Sequence, residues 1–314
     1  QQADYNVPIM TETIDAKPVD FFCSIESRQH EEGLLGSAPR ADVWFMLEYS
    51  GRWGSKAFDE SSLDADLKAR VNAQLAEIPN SRLLLVKQDG APTSGFRFFA
   101  ARAAAESPTL HEFTFSDYHD LGAIDLAALA AGDAQYDGQI SERKLVLVCT
   151  NGLRDQCCAL NGMKAYQALK SQFPEAVWQS SHHGGHRYSA NMLAMPHGLS
   201  YGKMDEEGED VVRSYLAGEM PLGHLRGRST LPGPAQAAEG LLRAQSGARA
   251  PEAYAFDALE ELDNAQCAVR FREAASGATK TVTIRQHISA ELIYVSCVGD
   301  KQSPLIEYEL IDIA

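Results

Sequence analysis

The chain has 314 residues, of which 45% are hydrophobic and 23% charged, a composition typical of a globular protein of about two domains. Its formal net charge of −15 disfavours binding to nucleic acid or to an anionic membrane surface, and no run of about 18 apolar residues predicts a transmembrane helix. The first residues lack the basic and apolar regions of a secretory signal, so we expect a cytoplasmic protein with reduced cysteines.

The first half of the chain alternates strand and helix patterns after about 40 residues that look irregular. Apolar runs predict strands at 42–50, 82–88, 95–103 and 109–117. Helical spacing of apolar residues predicts helices at 62–78 and 125–133. The order of this first unit is therefore β-α-β-β-β-α.

The second half repeats this order. The predicted elements are a strand at 143–150, a helix at 158–173, a strand at 175–182, a hairpin across Pro196 and a helix at 206–219. A strand, a crossover helix and a parallel strand, followed by a hairpin and a helix, outline a thioredoxin-like domain. We therefore predict an α/β protein with two thioredoxin-like units in tandem. One larger mixed sheet is the alternative.

A segment rich in Gly and Pro at 222–234 predicts a linker. After it we predict a helix at 235–247, strands at 267–273, 279–287 and 291–298, and an extended C-terminal segment, "PLIEYELIDIA". The predicted domains are 1–138 for the first unit, 139–232 for the second, and 233–314 for a small α+β appendage.

Three of the six cysteines cluster in the sequence, namely Cys149, Cys157 and Cys158. Clustered cysteines in a reducing compartment indicate metal or redox chemistry more often than disulfides. The other three are scattered, and we expect them to be plain buried thiols: Cys23, Cys267 and Cys297.

The stretch "SSHHGGHRY" contains three of the nine histidines, His182, His183 and His186. Gly184 and Gly185 between them disfavour a helix, by about 1 kcal/mol each relative to alanine, and favour a tight loop. The histidines follow one predicted strand, and the cysteine cluster follows the preceding strand of the same unit. Functional sites in open α/β sheets lie beyond the carboxyl ends of the strands, so we expect the two loops to meet.

Two thiolates and two imidazoles suit a tetrahedral zinc ion, and they also suit a [2Fe–2S] cluster in which two histidines replace two cysteines. Cys149 and Cys158 are nine positions apart, further than in the usual zinc patterns, which favours the larger group. The residue pattern alone leaves three possibilities open. They are the cluster, a zinc-binding structural or partner-binding protein, and a metal-free thiol-based oxidoreductase that uses Cys157 and Cys158.

Three blocks resemble the sucrase/ferredoxin-like family: "VCTNGLRDQCCALNG", "SSHHGGHRYSANMLAMPHGLSYGKM" and "LRGRSTLPGPAQAAE". The segment "GSAPRADVWFMLEYSGRWGSKA" is similar to that family's N-terminal region, and the resemblance covers most of residues 20–240. Members carry a thioredoxin-like ferredoxin domain, so the resemblance implies a [2Fe–2S] cluster in the second unit. It implies four ligands, with Cys157 and His183 as second choices: Cys149, Cys158, His182 and His186.

We therefore expect an electron carrier with an unidentified redox partner protein more than an enzyme with its own substrate, and a cluster-dependent reductase activity stays open. The corresponding loop of the first unit, "EYSGRWGSKAF", has neither Cys nor His, so we expect no cluster there. No Gly-x-Gly-x-x-Gly follows a predicted strand, so no NAD or flavin site is expected.

Overall fold

The computed structural model describes residues 17, 20–89, 95–103, 107–204 and 208–314. Its first half contains the predicted elements, preceded by a short helix: α1 Cys23–Gln29, β1 Val43–Glu48, α2 Ala65–Ala76, β2 Ser81–Lys87, β3 Phe96–Arg102, β4 Thr109–Phe115 and α3 Leu126–Ala131. The expectation of irregular structure before residue 40 is wrong at α1. This helix has only seven residues and no side-chain N-cap, so it leaves no helical pattern in the sequence.

The second half also contains its predicted elements, with one more strand on each side: β5 Ile140–Ser141, β6 Leu145–Cys149, α4 Gln156–Gln172, β7 Val177–Ser180, β8 Met192–Met195, β9 Leu199–Tyr201, α5 Gly208–Leu216 and β10 Leu225–Arg228. The predicted linker at 222–234 is wrong where β10 pairs with β9. The sequence "LRGR" contains two arginines and a glycine, so it lacks the apolar pattern of a buried strand, although all four of its residues are buried. The start of the helix predicted at 206–219 lies partly outside the described residues.

Ten strands form one mixed sheet in the order β10-β9-β8-β6-β7-β2-β1-β3-β4-β5. Both halves have the same local order, β2-β1-β3-β4 and β7-β6-β8-β9, and in each the first pair is parallel. The halves join where β7 pairs antiparallel with β2 at Val86 and Ser180. The alternative of one larger mixed sheet therefore describes the architecture, and the assignment of each half to the thioredoxin-like class stays a prediction.

The sheet is curled, so that its two halves share a core. Phe99 of β3 and Trp178 of β7 are separated by two strands, yet their ring centroids are 5.6 Å apart. Across a flat sheet that separation would be about 14 Å, because neighbouring strands lie about 4.8 Å apart. Trp44 of β1 also donates a hydrogen bond to Ser229, just after β10, at 3.1 Å. The helices cover the outer face of the sheet, α2 and α3 on one half and α4 and α5 on the other.

A second sheet follows, antiparallel and in sequential order, packed on the last helix: α6 Gly233–Ser246, β11 Tyr254–Glu261, β12 Gln266–Glu273, β13 Thr279–Tyr294 and β14 Gln302–Ile313. The extended C-terminal segment is confirmed as β14. Strand β11 was not predicted, because it contains three acidic residues and buries only Tyr254, and the two strands predicted at 279–287 and 291–298 correspond to the single strand β13 and the residues after it. No helix in the described part of the chain is long and apolar enough to cross a bilayer.

A buried ion triad attaches α6 to the large sheet. Glu239 of α6 lies between Arg228 of β10 and Arg243 of α6, at 3.0 and 2.9 Å. Both guanidinium groups also donate to the carbonyl of Pro251 at 2.8 Å. Because all three charged groups are buried, removing one of them would leave an uncompensated charge in the interior.

Candidate metal centre

The cysteine loop connects β6 to α4 at the carboxyl edge of the sheet. Cys149 is the last residue of β6, and Cys158 is in the first turn of α4. Asp155 caps this helix by accepting a hydrogen bond from the backbone N–H of Cys157 at 2.9 Å. Gly162 allows α4 to approach β6, since a Cβ at this position would lie 2.0 Å from the carbonyl oxygen of Cys149.

The structure brings together all four residues that the resemblance implies as ligands. The Nδ1 atom of His182 is 3.6 Å from the sulfur of Cys149 and 3.8 Å from that of Cys158. The Nδ1 atom of His186 is 3.9 Å from the sulfur of Cys158. The two imidazole rings stack with their centroids 3.9 Å apart and their planes 9° from parallel. The cysteines are buried and the histidines are partly exposed.

The protonation states of these side chains suit metal binding. Burial lowers the pKa of His182 to about 4, so the imidazole is neutral at pH 7, the form that ligates metals. Burial also lowers the pKa of His186, against the opposing effect of Asp155. Hydrogen bonds from Cys158 and His182 lower the pKa of Cys149, although burial opposes them. These shifts favour the thiolate form of Cys149 and the neutral form of the imidazoles, which are the forms that bind metals.

The two glycines of the histidine loop have backbone conformations that other residues adopt rarely. Gly184 has φ +113° and Gly185 has φ +79°, both in the region that favours glycine. Buried Arg226 packs on Gly185 and donates hydrogen bonds to the carbonyl of Gly184, at 3.1 Å, and to Oδ1 of Asn191, at 2.8 Å. Asn191 donates in turn to the carbonyl of Gly185 at 2.7 Å. This network shapes the loop that presents His182 and His186.

The two second-choice ligands lie elsewhere. Cys157 contacts Cys23 and Cys297 at sulfur–sulfur distances of 3.7 and 3.2 Å. His183 is fully buried, and neither ring nitrogen has a hydrogen-bond partner among the described residues. Its burial, the largest cause, and nearby Arg226 lower the pKa of His183 to about 3, which keeps the ring neutral.

A second group of potential ligands lies next to the first group, which consists of Cys149, Cys158, His182 and His186. Sulfur and carboxylate atoms of four residues lie within 4.8 Å of one another: Cys23, Asp155, Cys157 and Cys297. The expectation that Cys23 and Cys297 are plain buried thiols is wrong, because the fold brings both into contact with Cys157, more than 130 residues away in sequence, and Cys297 is only partly buried. Cys267 is a plain buried thiol in the core between α6 and the second sheet, as expected. No spacing in the sequence indicates this second group.

The first group is reached from the surface through its histidines. His182 lines a cavity of about 350 Å³ together with Lys56, Arg82 and Arg154. His186 lines a neighbouring cavity of about 400 Å³. In a chain with a net charge of −15, three basic residues beside one ligand form a local positive patch.

The fold and the site define a mixed α/β protein in which Cys149, Cys158 and His182 lie close enough together at a sheet edge to hold a metal, with His186 next to Cys158. Residues 34–227, more than half of the chain, match the sucrase/ferredoxin-like family. The chain belongs to this family, which confirms the resemblance. No curated protein and no solved structure shows significant similarity to the chain.

Proposed function

We propose that this protein is a single-electron carrier that binds a [2Fe–2S] cluster in a thioredoxin-like ferredoxin domain. The ligands are Cys149, Cys158, His182 and His186. The observation that carries the proposal is the convergence of these four side chains in a chain of the sucrase/ferredoxin-like family. The first unit has no corresponding ligands and supports the second through the shared sheet.

The residues fit the proposed cluster in number and chemistry. Two thiols and two imidazoles complete the coordination of two irons, as they do in other clusters with mixed ligands. The cysteines are buried, which protects the sulfur ligands from solvent, and burial keeps the imidazoles neutral. The cluster, when bound, accepts and releases one electron at a time.

The histidines set the charge and the accessibility of the site. Neutral imidazoles bring no charge, so the centre is less negative than one with four thiolates, which favours the reduced form and raises the potential. The Nδ1 atoms of His182 and His186 face the sulfurs, so in the cluster-bound form Nδ1 would be the ligand and Nε2 the outer nitrogen that carries the proton. Both rings are partly exposed, and electrons enter and leave on their side.

A redox partner protein docks over His182 in this proposal. Lys56 and Arg154 are exposed and line the same cavity as this histidine. An acidic surface on the partner would be attracted to these groups, and the rate of encounter would fall as salt screens them. Because the chain as a whole has a net charge of −15, an acidic partner would be repelled from most of its surface and attracted to this basic patch.

A structural zinc site is the second candidate, and one observation favours it. Tetrahedral zinc has Zn–S distances of about 2.3 Å and Zn–N distances of about 2.0–2.1 Å, which place sulfur and nitrogen ligands about 3.6 Å apart. The observed separations are 3.6, 3.8 and 3.9 Å.

A metal-free thiol oxidoreductase that uses Cys157 and Cys158 as a pair is not favoured by the structure, because the two sulfurs contact different groups.

The test is the visible spectrum of protein purified without oxygen, before and after dithionite, with iron, sulfide and zinc assayed on the same sample. We expect a red-brown protein with about two irons and two sulfides per chain that bleaches on reduction. His186→Ala should lose the colour. His183→Leu, the matched control, should keep it, because His183 is buried and makes no side-chain hydrogen bond in the described structure.

A colourless protein with zinc bound by these four residues would establish the structural site instead. A protein that stays colourless after reconstitution with iron and sulfide, and that binds no zinc there, would refute both. Retained colour in His186→Ala would refute the ligand assignment.

A further inference from the structure

Three cysteines from distant parts of the chain meet beside the first turn of α4. Cys23 begins α1, Cys157 is in α4, and Cys297 is in the connection between β13 and β14. Their sulfur–sulfur distances are 3.2 Å for 157–297, 3.5 Å for 23–297 and 3.7 Å for 23–157. All three are free thiols. A disulfide would join only two of the sulfurs, at about 2.05 Å, and would leave the third unused.

A carboxylate completes this group. Asp155 is fully buried, and its two oxygens are each 3.9 Å from the sulfur of Cys23. The backbone N–H groups of Cys157 and Cys297 donate to it at 2.9 and 2.8 Å, and the hydroxyl of Ser296 donates at 2.9 Å. These donors hold the carboxylate against the sulfurs, as outer hydrogen bonds orient a metal ligand.

The separations suit a single tetrahedral ion. With Zn–S bonds of about 2.3 Å, ideal tetrahedral geometry places sulfur ligands about 3.8 Å apart. The three observed distances, between 3.2 and 3.7 Å, approach this value. The sulfurs also receive hydrogen bonds, from the hydroxyl of Ser24 to Cys157 at 3.2 Å and from the backbone N–H of Cys23 to Cys297 at 3.4 Å. Such donors stabilise thiolates, the form in which cysteine binds metals.

We propose that Cys23, Cys157, Cys297 and Asp155 form a second metal site that binds Zn²⁺ with four protein ligands. A closed set of four ligands is typical of structural rather than catalytic zinc. The ion would tie α1 and the second sheet to α4, next to the proposed cluster. This proposal shares no ligand with the proposed [2Fe–2S] site, so either one can fail without the other.

The experiment is a metal analysis of the full-length protein, purified under reducing conditions and titrated with Zn²⁺. We expect about one tightly bound zinc per chain in addition to any iron. Cys23→Ser and Cys297→Ser should each lose this zinc, with the iron content kept. Cys267→Ser is the matched control and should retain it, because Cys267 is a buried thiol outside the group. Cys149→Ser should lose iron and retain the zinc.

X-ray absorption at the zinc edge tests the site without any substitution. We expect about three sulfur ligands near 2.3 Å and one oxygen near 2.0–2.2 Å. Two nitrogen and two sulfur ligands would instead place the zinc at the site of Cys149, Cys158, His182 and His186, and would overturn this proposal. The proposal is also overturned if the protein takes up no zinc, if both variants retain it, or if mass spectrometry of the reduced and purified protein finds a disulfide between Cys157 and Cys297.

Discussion

The substitution Gly185→Ala tests how the histidine loop is held. Gly185 has φ +79°, and a Cβ there would lie 2.4 Å from the Nη2 atom of Arg226 and 2.8 Å from its Cζ. Arg226 cannot move away without cost, because it is fully buried and bonded to the carbonyls of Ser37 and Gly184 and to Asn191. The new methyl group would therefore displace either the guanidinium or the loop.

The expected cost has two parts. A non-glycine residue in the left-handed region costs about 1–2 kcal/mol, and forcing an extra carbon into a packed site costs about 1–3 kcal/mol. The sum predicts a loss of about 2–5 kcal/mol in the free energy of unfolding. Gly247→Ala is the matched control, because Gly247 has φ +75° and no atom within 4 Å of the added Cβ. Only the backbone cost, about 1–2 kcal/mol, applies there.

Urea unfolding of the two variants and the wild type measures both costs, provided that the slope m is unchanged. We expect Gly185→Ala to cost at least about 1 kcal/mol more than Gly247→Ala, and to bind less iron, because His182 and His186 lie on either side of the glycine pair. Equal losses of stability in the two variants would refute the argument that Arg226 shapes the loop through contact with Gly185.

Two further predictions concern charge. Glu239→Gln should destabilise the protein by about 3–5 kcal/mol at pH 7, because Arg228 and Arg243 would remain buried without their carboxylate. Burial raises the pKa of Glu239, but the two arginines outweigh this effect and lower it. The stabilisation that Glu239 gives the folded state is therefore complete above the unfolded pKa of about 4.3, and it is lost as the pH falls through the lower pKa of the folded state. Urea titrations from pH 7 to pH 3 should show a weaker pH dependence in the variant, and an unchanged dependence would contradict this assignment. Lys56→Glu should slow the reduction of this protein by an acidic redox partner at low salt, by up to about tenfold. Stopped-flow measurements at low salt test this, and equal rates for the variant and the wild type would exclude this docking patch.

The sequence was sufficient for most of the regular structure and for the proximity of Cys149, Cys158, His182 and His186. Apolar runs and helical spacing predicted both β-α-β-β-β-α series, because each element buries one face or both. Cys149 and His182 could be placed together because Cys149 ends β6 and His182 lies just after β7, and these two strands are parallel neighbours. The glycine pair indicated a loop, since left-handed backbone conformations favour glycine at these positions.

The sequence indicated that either Cys157 or Cys158 lies beside the histidines, but it did not decide which of the two. Adjacent residues on a helix point about 100° apart, so their side chains reach different groups. Which sulfur faces His182 depends on how α4 is rotated against β6, and this rotation is set by contacts such as that of Gly162 with Cys149. The structure places Cys158 beside the histidines and Cys157 beside Cys23.

Only the tertiary structure decided the rest. The two halves join through a pairing of two residues in each of β2 and β7, and the sheet curls until Phe99 meets Trp178; no local pattern encodes either contact. The group of Cys23, Cys157 and Cys297 likewise depends on α1 and the connection after β13 both packing near α4. Local patterns arise from which face of an element is buried, whereas contacts between positions 23, 157 and 297 arise from how whole elements pack. A sequence read along the chain therefore reveals the first kind of information and not the second.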